Sequence, residues 1–186
     1  MATEYPKVTV TDNTGRELCI DSVACGLKII DTEHAEVHEG EHYCVSHYDS
    51  DTDTDGTVIV HCITPDTAAR IHVIFSVEVS SHALFEIYEN PTTSNNGTAL
   101  TAYNSDRNSA NTTTSLWFHT PTVSNAGTLL LTRVLGSSGA NPTGARGSAL
   151  SRGDEFILKQ NEQYLFRVTA LVDNVKCALD MQFYEE

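Results

Sequence analysis

The sequence predicts an all-β protein, an antiparallel β-sandwich of the jelly-roll type with about ten strands. Three observations point there. Apolar residues recur with a period of two along most of the chain, Gly, Asn, Asp and Pro punctuate those runs, and no window sustains a capped i, i+3, i+4, i+7 stripe. In order, the predicted strands are residues 7–11, 27–30, 43–48, 57–63, 71–79, 83–88, 116–119, 129–135, 156–159, 164–172 and 175–183. The run at 71–79 is typical: Ile71, Val73, Phe75, Val77 and Val79 share one face, and His72, Ser76 and Glu78 fall largely on the other. Val175, Cys177, Leu179, Met181 and Phe183 repeat the pattern, as do Tyr164, Phe166, Val168, Ala170 and Val172. No βαβ alternation is present, which excludes a parallel sheet.

A length of 186 residues suits a single domain, 1–186, with an N-terminal arm over about residues 1–12. No internal repeat and no linker is read. Two long polar connections, 90–115 and 136–153, exceed ordinary loop length and are the expected sites of partner contact. No apolar run is long enough to span a bilayer and the N-terminus lacks a signal-peptide pattern, so a soluble protein made in a cytoplasm is expected.

The formal net charge is −14, and Lys and Arg form no cluster, which excludes a nucleic-acid partner. The charge is uneven. Residues 31–69 carry ten acids and no Lys or Arg, whereas residues 91–152 carry one acid, Asp106, against Arg107, Arg133, Arg146 and Arg152. Such asymmetry favours docking in one orientation. The five cysteines, Cys19, Cys25, Cys44, Cys62 and Cys177, contain no C-x-x-C pair, and the last three lie in apolar stretches as small core residues.

Catalytic signatures are missing from the sequence: there is no G-x-S-x-G, P-loop or Rossmann glycine pattern, and no enzyme is expected. His34-Ala35-Glu36-Val37-His38 places its Glu one position too late for a zinc-protease helix, and reads instead as a polar strand face. Asp51-Thr52-Asp53-Thr54-Asp55-Gly56 matches the first half of an EF-hand loop, but position twelve is Cys62. Asp51, Asp53 and Asp55 are therefore the candidate ligands for a weak calcium site, a solvated hairpin loop is the preferred reading, and no cofactor is expected. The sequons at Asn96 and Asn111 read as ordinary loop sequence.

Beyond this physical reading, an ordered series of short motifs carries a resemblance. It comprises Asp31-Thr32-Glu33-His34-Ala35-Glu36-Val37-His38-Glu39-Gly40, Phe85-Glu86-Ile87-Tyr88-Glu89, Gly97-Thr98-Ala99-Leu100, Asn104-Ser105-Asp106-Arg107-Asn108-Ser109, and the run from Ile157 to Thr169. Over roughly residues 27–184 the chain resembles the tailed-bacteriophage head decoration, or capsid cement, proteins. The resemblance implies a virion protein on the capsid surface, a major capsid protein as partner, and no catalytic residues. Where relatives carry a further Arg, this chain has Ser105 and Asp106. Asn104, Arg107, Asn108, Trp117 and Arg152 are the expected contact residues, Arg and Trp being favoured interface anchors, and Trp117 suits a core position equally well. A homodimer or homotrimer would match capsid symmetry sites. The alternative function is a receptor- or carbohydrate-binding module of a phage tail fibre or spike. Glycan sites need exposed rings, and most rings here fall in predicted strands.

Overall fold

In the computed structural model, residues 32–136 and 155–186 are described. They form one short helix, α1 (Thr32–Glu39), and thirteen strands. These are β1 (His42–Thr52), β2 (Thr57–Ile63), β3 (Ile71–Val79), β4 (Ala83–Glu89), β5 (Thr92–Asn95), β6 (Thr98–Leu100), β7 (Tyr103–Asn104), β8 (Leu116–His119), β9 (Thr122–Asn125), β10 (Thr128–Leu135), β11 (Phe156–Leu158), β12 (Gln163–Ala170) and β13 (Val175–Glu185). The strands expected at 7–11 and 27–30, the arm at 1–12, and Arg152 with nearly all of the 136–153 connection lie outside the described residues. No helix among the described residues is long and apolar enough to cross a membrane.

Two antiparallel sheets carry the fold, ordered β11-β3-β13-β1-β7 and β10-β4-β12-β2-β8-β6. The eight principal strands are β1 to β4 and β10 to β13. Among these, the first pairs with the last (β1 with β13), β2 with β12, β3 with β11, and β4 with β10. That nesting is one long antiparallel ribbon rolled into two sheets, the jelly roll the alternation predicted. The inward-facing residues read from the sequence, among them Val73, Phe75, Val77, Phe166, Val168, Cys177, Leu179 and Met181, fill a single core between the sheets. Cys62 and Cys177 are buried there as free thiols, whereas Cys44, expected in the core, is half-buried on the outer face of its sheet.

Three expectations are corrected. First, residues 34–38 are helical. Glu33 sits in the first turn and His38 in the last, complementing the helix dipole. Gly40, at φ 76°, terminates the helix while the amides of Gly40 and Glu41 bond back to Val37 and Glu36 carbonyls. His34 and His38 are exposed and Glu36 is buried, so the three share no face. Second, Asp51 to Gly56 is no hairpin loop: it carries the chain from β1 in one sheet to β2 in the other. Third, the 90–115 connection contains β5, β6 and β7.

A repeat is also present. Pro-Thr-x-Ser-Asn-x-Gly-Thr-x-Leu occurs at Pro91–Leu100 and again at Pro121–Leu130, thirty residues on. Each copy follows a strand (β4 or β8) and a left-handed residue, Asn90 at φ 57° or Thr120 at φ 55°. The copies pair with each other about a local two-fold: β5 with β9, Thr128 opposite Glu89, and Thr98 opposite His119. The glycines match too. A Cβ on Gly97 would stand 2.1 Å from the His119 carbonyl oxygen, and one on Gly127 would stand 2.2 Å from that of Glu89. This excursion at the tip of the rolled ribbon covers the outer face of the six-stranded sheet, where Val123 and Ala126 pack on Ile59, Tyr88 and Leu165. It then continues both sheets, β8 joining β2 and β7 joining β1.

Two histidines are enclosed by this arrangement. His61, fully buried, has its ring nitrogens against the Asn96 carbonyl (3.3 Å) and the Gln163 side-chain amide (3.0 Å). His47 stacks on His119 with ring centroids 4.3 Å apart. Burial holds both His61 and His47 below the usual histidine range; His119 reinforces this at His47, and the bonds to Asn96 and Gln163 oppose it at His61. Asp49 opposes the shift at His47. The unfolded chain therefore takes up protons at these two positions near pH 6.5 and the folded one only at lower pH. Stability is fully present above about pH 6.5 and declines as pH falls from there towards the folded pKa values. Urea midpoints measured from about pH 8 down to about pH 5.5 should be level at first and then drop; a level profile throughout contradicts the assignment.

Candidate functional site: the stitched loop and the trough beside it

The segment after β7 is folded by its own polar side chains. The Asn104 amide nitrogen donates to the Gly40 carbonyl (2.7 Å) and to that of Asn111 (3.3 Å), and its oxygen accepts from the Asp106 amide (2.9 Å). Asp106 in turn accepts from the Asn108 amide at 2.9 Å, so successive side chains mimic backbone turns. The Ser105 amide donates to the His42 carbonyl (2.8 Å), and the Asn111 side chain donates to Glu41 (3.0 Å). At the far end, the Glu185 carboxylate accepts from the Thr114 amide (3.1 Å), the Thr114 hydroxyl (2.8 Å) and the Ser115 amide (3.3 Å), and from the Thr113 hydroxyl. The loop is thus fastened to the helix cap, the start of β1 and the end of β13.

This places the expected contact residues in different roles. Asn104 is buried and organises the loop. Trp117 is 2% exposed in the core, its ring 4.9 Å from Phe183 and its Nε1 donating to the Ser115 hydroxyl at 2.9 Å, so it is shielded from any partner. Arg107 and Asn108 are exposed on the stitched loop. Arg107 donates to the Asn104 carbonyl (3.4 Å) and lies over the Tyr103 ring, 5.3 Å from its centroid. Asp106, the departure from the resembling family, is spent on turn formation. Asp51, Asp53 and Asp55 are exposed, and no group of three metal-ligating side chains occurs among the described residues.

Beside the loop, strand register builds a trough across the outer face of the five-stranded sheet. Directly paired residues share a face, and three rows result. Ser46, Asp180 and Ser76 form a low middle row. Tyr48, Ala178 and Glu78 stand on one side of it; Tyr103, Cys44, Gln182 and Ile74 stand on the other. The small side chains of the middle row make the floor, and the larger ones the walls. The open cavity over the middle row, closed at one end by residues 99–101 and Tyr103, measures about 570 Å³, and Tyr48 and Ala178 line a smaller one beyond Glu78. Tyr103 is 54% exposed and Tyr48 59%, so these rings lie in strands yet face outward. Asp180 has no hydrogen-bond partner among the described residues. Its carboxyl is held above the usual aspartate range, first by partial burial and then by the nearby Glu78 charge.

The trough went unread in the sequence because its members come from four strands whose registers are non-local. One signal was available: Tyr48, Asp180 and Glu78 each occupy the outward parity of their strand. No protein-family model matches the chain, and no curated protein matches it significantly.

Proposed function

We propose that this protein is a non-catalytic structural component of a bacteriophage virion that binds the capsid exterior and stabilises contacts between major capsid protein subunits. The observation that carries the reading is the stitched loop. Its backbone is fixed on three sides before any partner arrives, so Arg107 and Asn108 are presented with little ordering cost left to pay on binding. The resemblance to capsid cement proteins and the rigid jelly roll support the same reading. Selective binding to the assembled lattice stabilises that state by mass action, and many symmetry-related copies amplify a modest contact. A homodimer or homotrimer of this chain would suit such sites.

Cosedimentation with DNA-free capsid shells, against separately prepared tails, tests the proposal. Saturable binding to shells is expected, accompanied by a higher shell melting temperature. Arg107→Ala should weaken that binding by on the order of tenfold with little change in the melting of the free protein, since the side chain is exposed and its contacts with the Asn104 carbonyl and the Tyr103 ring are long surface ones. Unchanged binding removes the loop from the interface. Binding confined to tails rejects capsid decoration in favour of a receptor-binding module.

A further inference from the structure

We infer that the trough on the five-stranded sheet is a binding site for an uncharged oligosaccharide chain. Its dimensions follow from the sheet: crossing β7, β1, β13 and β3 spans three strand spacings, about 14 Å, which admits a short run of sugar rings lying across the strands. Its volume is in the range of small-molecule sites, roughly 300–1,000 Å³. The chemistry of the lining is that of sugar recognition. The Asp180 carboxylate, half-buried and without a hydrogen-bond partner among the described residues, is an acceptor for two neighbouring hydroxyls. Gln182 adds a donor and an acceptor, and the Ser46 hydroxyl serves as either. Tyr103 lines the cavity and Tyr48 the smaller one that adjoins it across Glu78; both are exposed amphipathic rings, flat apolar surface with a hydroxyl, the combination suited to the C–H faces of a pyranose.

Charge narrows the ligand. Glu78 and Asp180 lie in the trough itself while Arg107 and Lys176 stand at its edges, and on a chain of net charge −14 the acids inside disfavour sulfated, phosphorylated or uronic-acid polymers. A lone divalent ion is disfavoured because no three ligating groups converge among the described residues. Tyr103 is held at its post by the stitched loop, with Arg107 on its ring, so the wall is in place before the sugar arrives. A trough of this openness predicts weak binding by one copy, made useful by many copies on one particle. The inference is independent of where on a virion the protein sits.

Affinity electrophoresis of the full chain in gels containing a neutral glucan, mannan or galactan tests it, with dextran sulfate and a polyamine-containing gel as charged comparisons. Retardation by at least one neutral polymer is expected, and none by the sulfate. Asp180→Asn and Tyr103→Ala should each weaken it by about tenfold with melting temperature preserved, and Leu116→Ala, at an exposed position outside the trough, should not. No retardation by any neutral polymer overturns the inference, as does retardation that both trough variants retain, or retardation by the polyamine alone. Because the same Asp180→Asn protein should still cosediment with capsid shells, failure here and failure of capsid binding are read separately.

Discussion

Trp117→Ala should lower the free energy of unfolding by about 3–5 kcal/mol, the range for emptying a large aromatic site in a packed core. The ring is sandwiched towards Phe183 and Phe166, with centroids 4.9 Å and 6.3 Å away. The loss is also topological. Trp117 belongs to β8, inside the excursion between β4 and β10, and stands opposite Cys62 of β2 on one side and Leu100 of β6 on the other. It is the excursion's fully buried residue in the main core, with the partly buried Leu100 and Ala102 packed against that core as well. Deleting it should therefore weaken protection of the β6 and β8 amides beyond the global loss. Urea unfolding followed by circular dichroism measures the first effect and amide exchange the second. As the only tryptophan, Trp117 also makes emission of the native protein a direct report of core integrity. A change below about 1 kcal/mol would place the ring outside the packed core.

Gly97→Ala should cost about 2–4 kcal/mol, from positive-φ strain together with overpacking. At φ 98° an L-residue is strained whatever space surrounds it. Here there is no space: the new methyl would meet the His119 carbonyl oxygen at 2.1 Å and the Pro121 nitrogen and Thr120 carbonyl carbon at 2.9 Å. All three are backbone atoms, so no rotamer change relieves the contact. Thr120 is itself a β-branched residue at positive φ, which leaves the opposing turn little room to yield. Gly127→Ala should behave alike, because the second copy of the motif sets its glycine against the Glu89 carbonyl in the same way. A neutral result at either position, by denaturant midpoint, would contradict the close approach of the two turns.

The sandwich was legible because its signal is local. Inward residues such as Phe75 and Phe166 declare themselves by alternation, and Thr57–Ile63 and Leu116–His119 match their predicted bounds. The excursion was not, since β5, β6, β7 and β9 are two to four residues long and rich in Thr, Ser and Asn, the composition of turns. Their pairing partners, rather than their propensity, make them strands. The repeated Pro-Thr-x-Ser-Asn-x-Gly-Thr-x-Leu was visible in the letters and passed for loop chemistry for the same reason. The candidate contact residues divided on burial: Arg107 and Asn108 are exposed, but Asn104 reads as a surface polar residue until Gly40 and Asn111 are seen on either side of it.

The local two-fold that joins the repeats has the logic of a homodimer. Each half presents a strand, a turn and a strand, and receives the same from its counterpart, so the pairings nearest the axis, such as Thr92 with Asn125 and Asn95 with Thr122, are made twice in an isologous pattern. Between separate molecules such an arrangement would have a dissociation constant and would come apart on dilution. Carried on one chain, with the two copies thirty residues apart, the association is intramolecular and its effective concentration is fixed by the chain itself. The excursion therefore keeps its dimer-like geometry at any protein concentration.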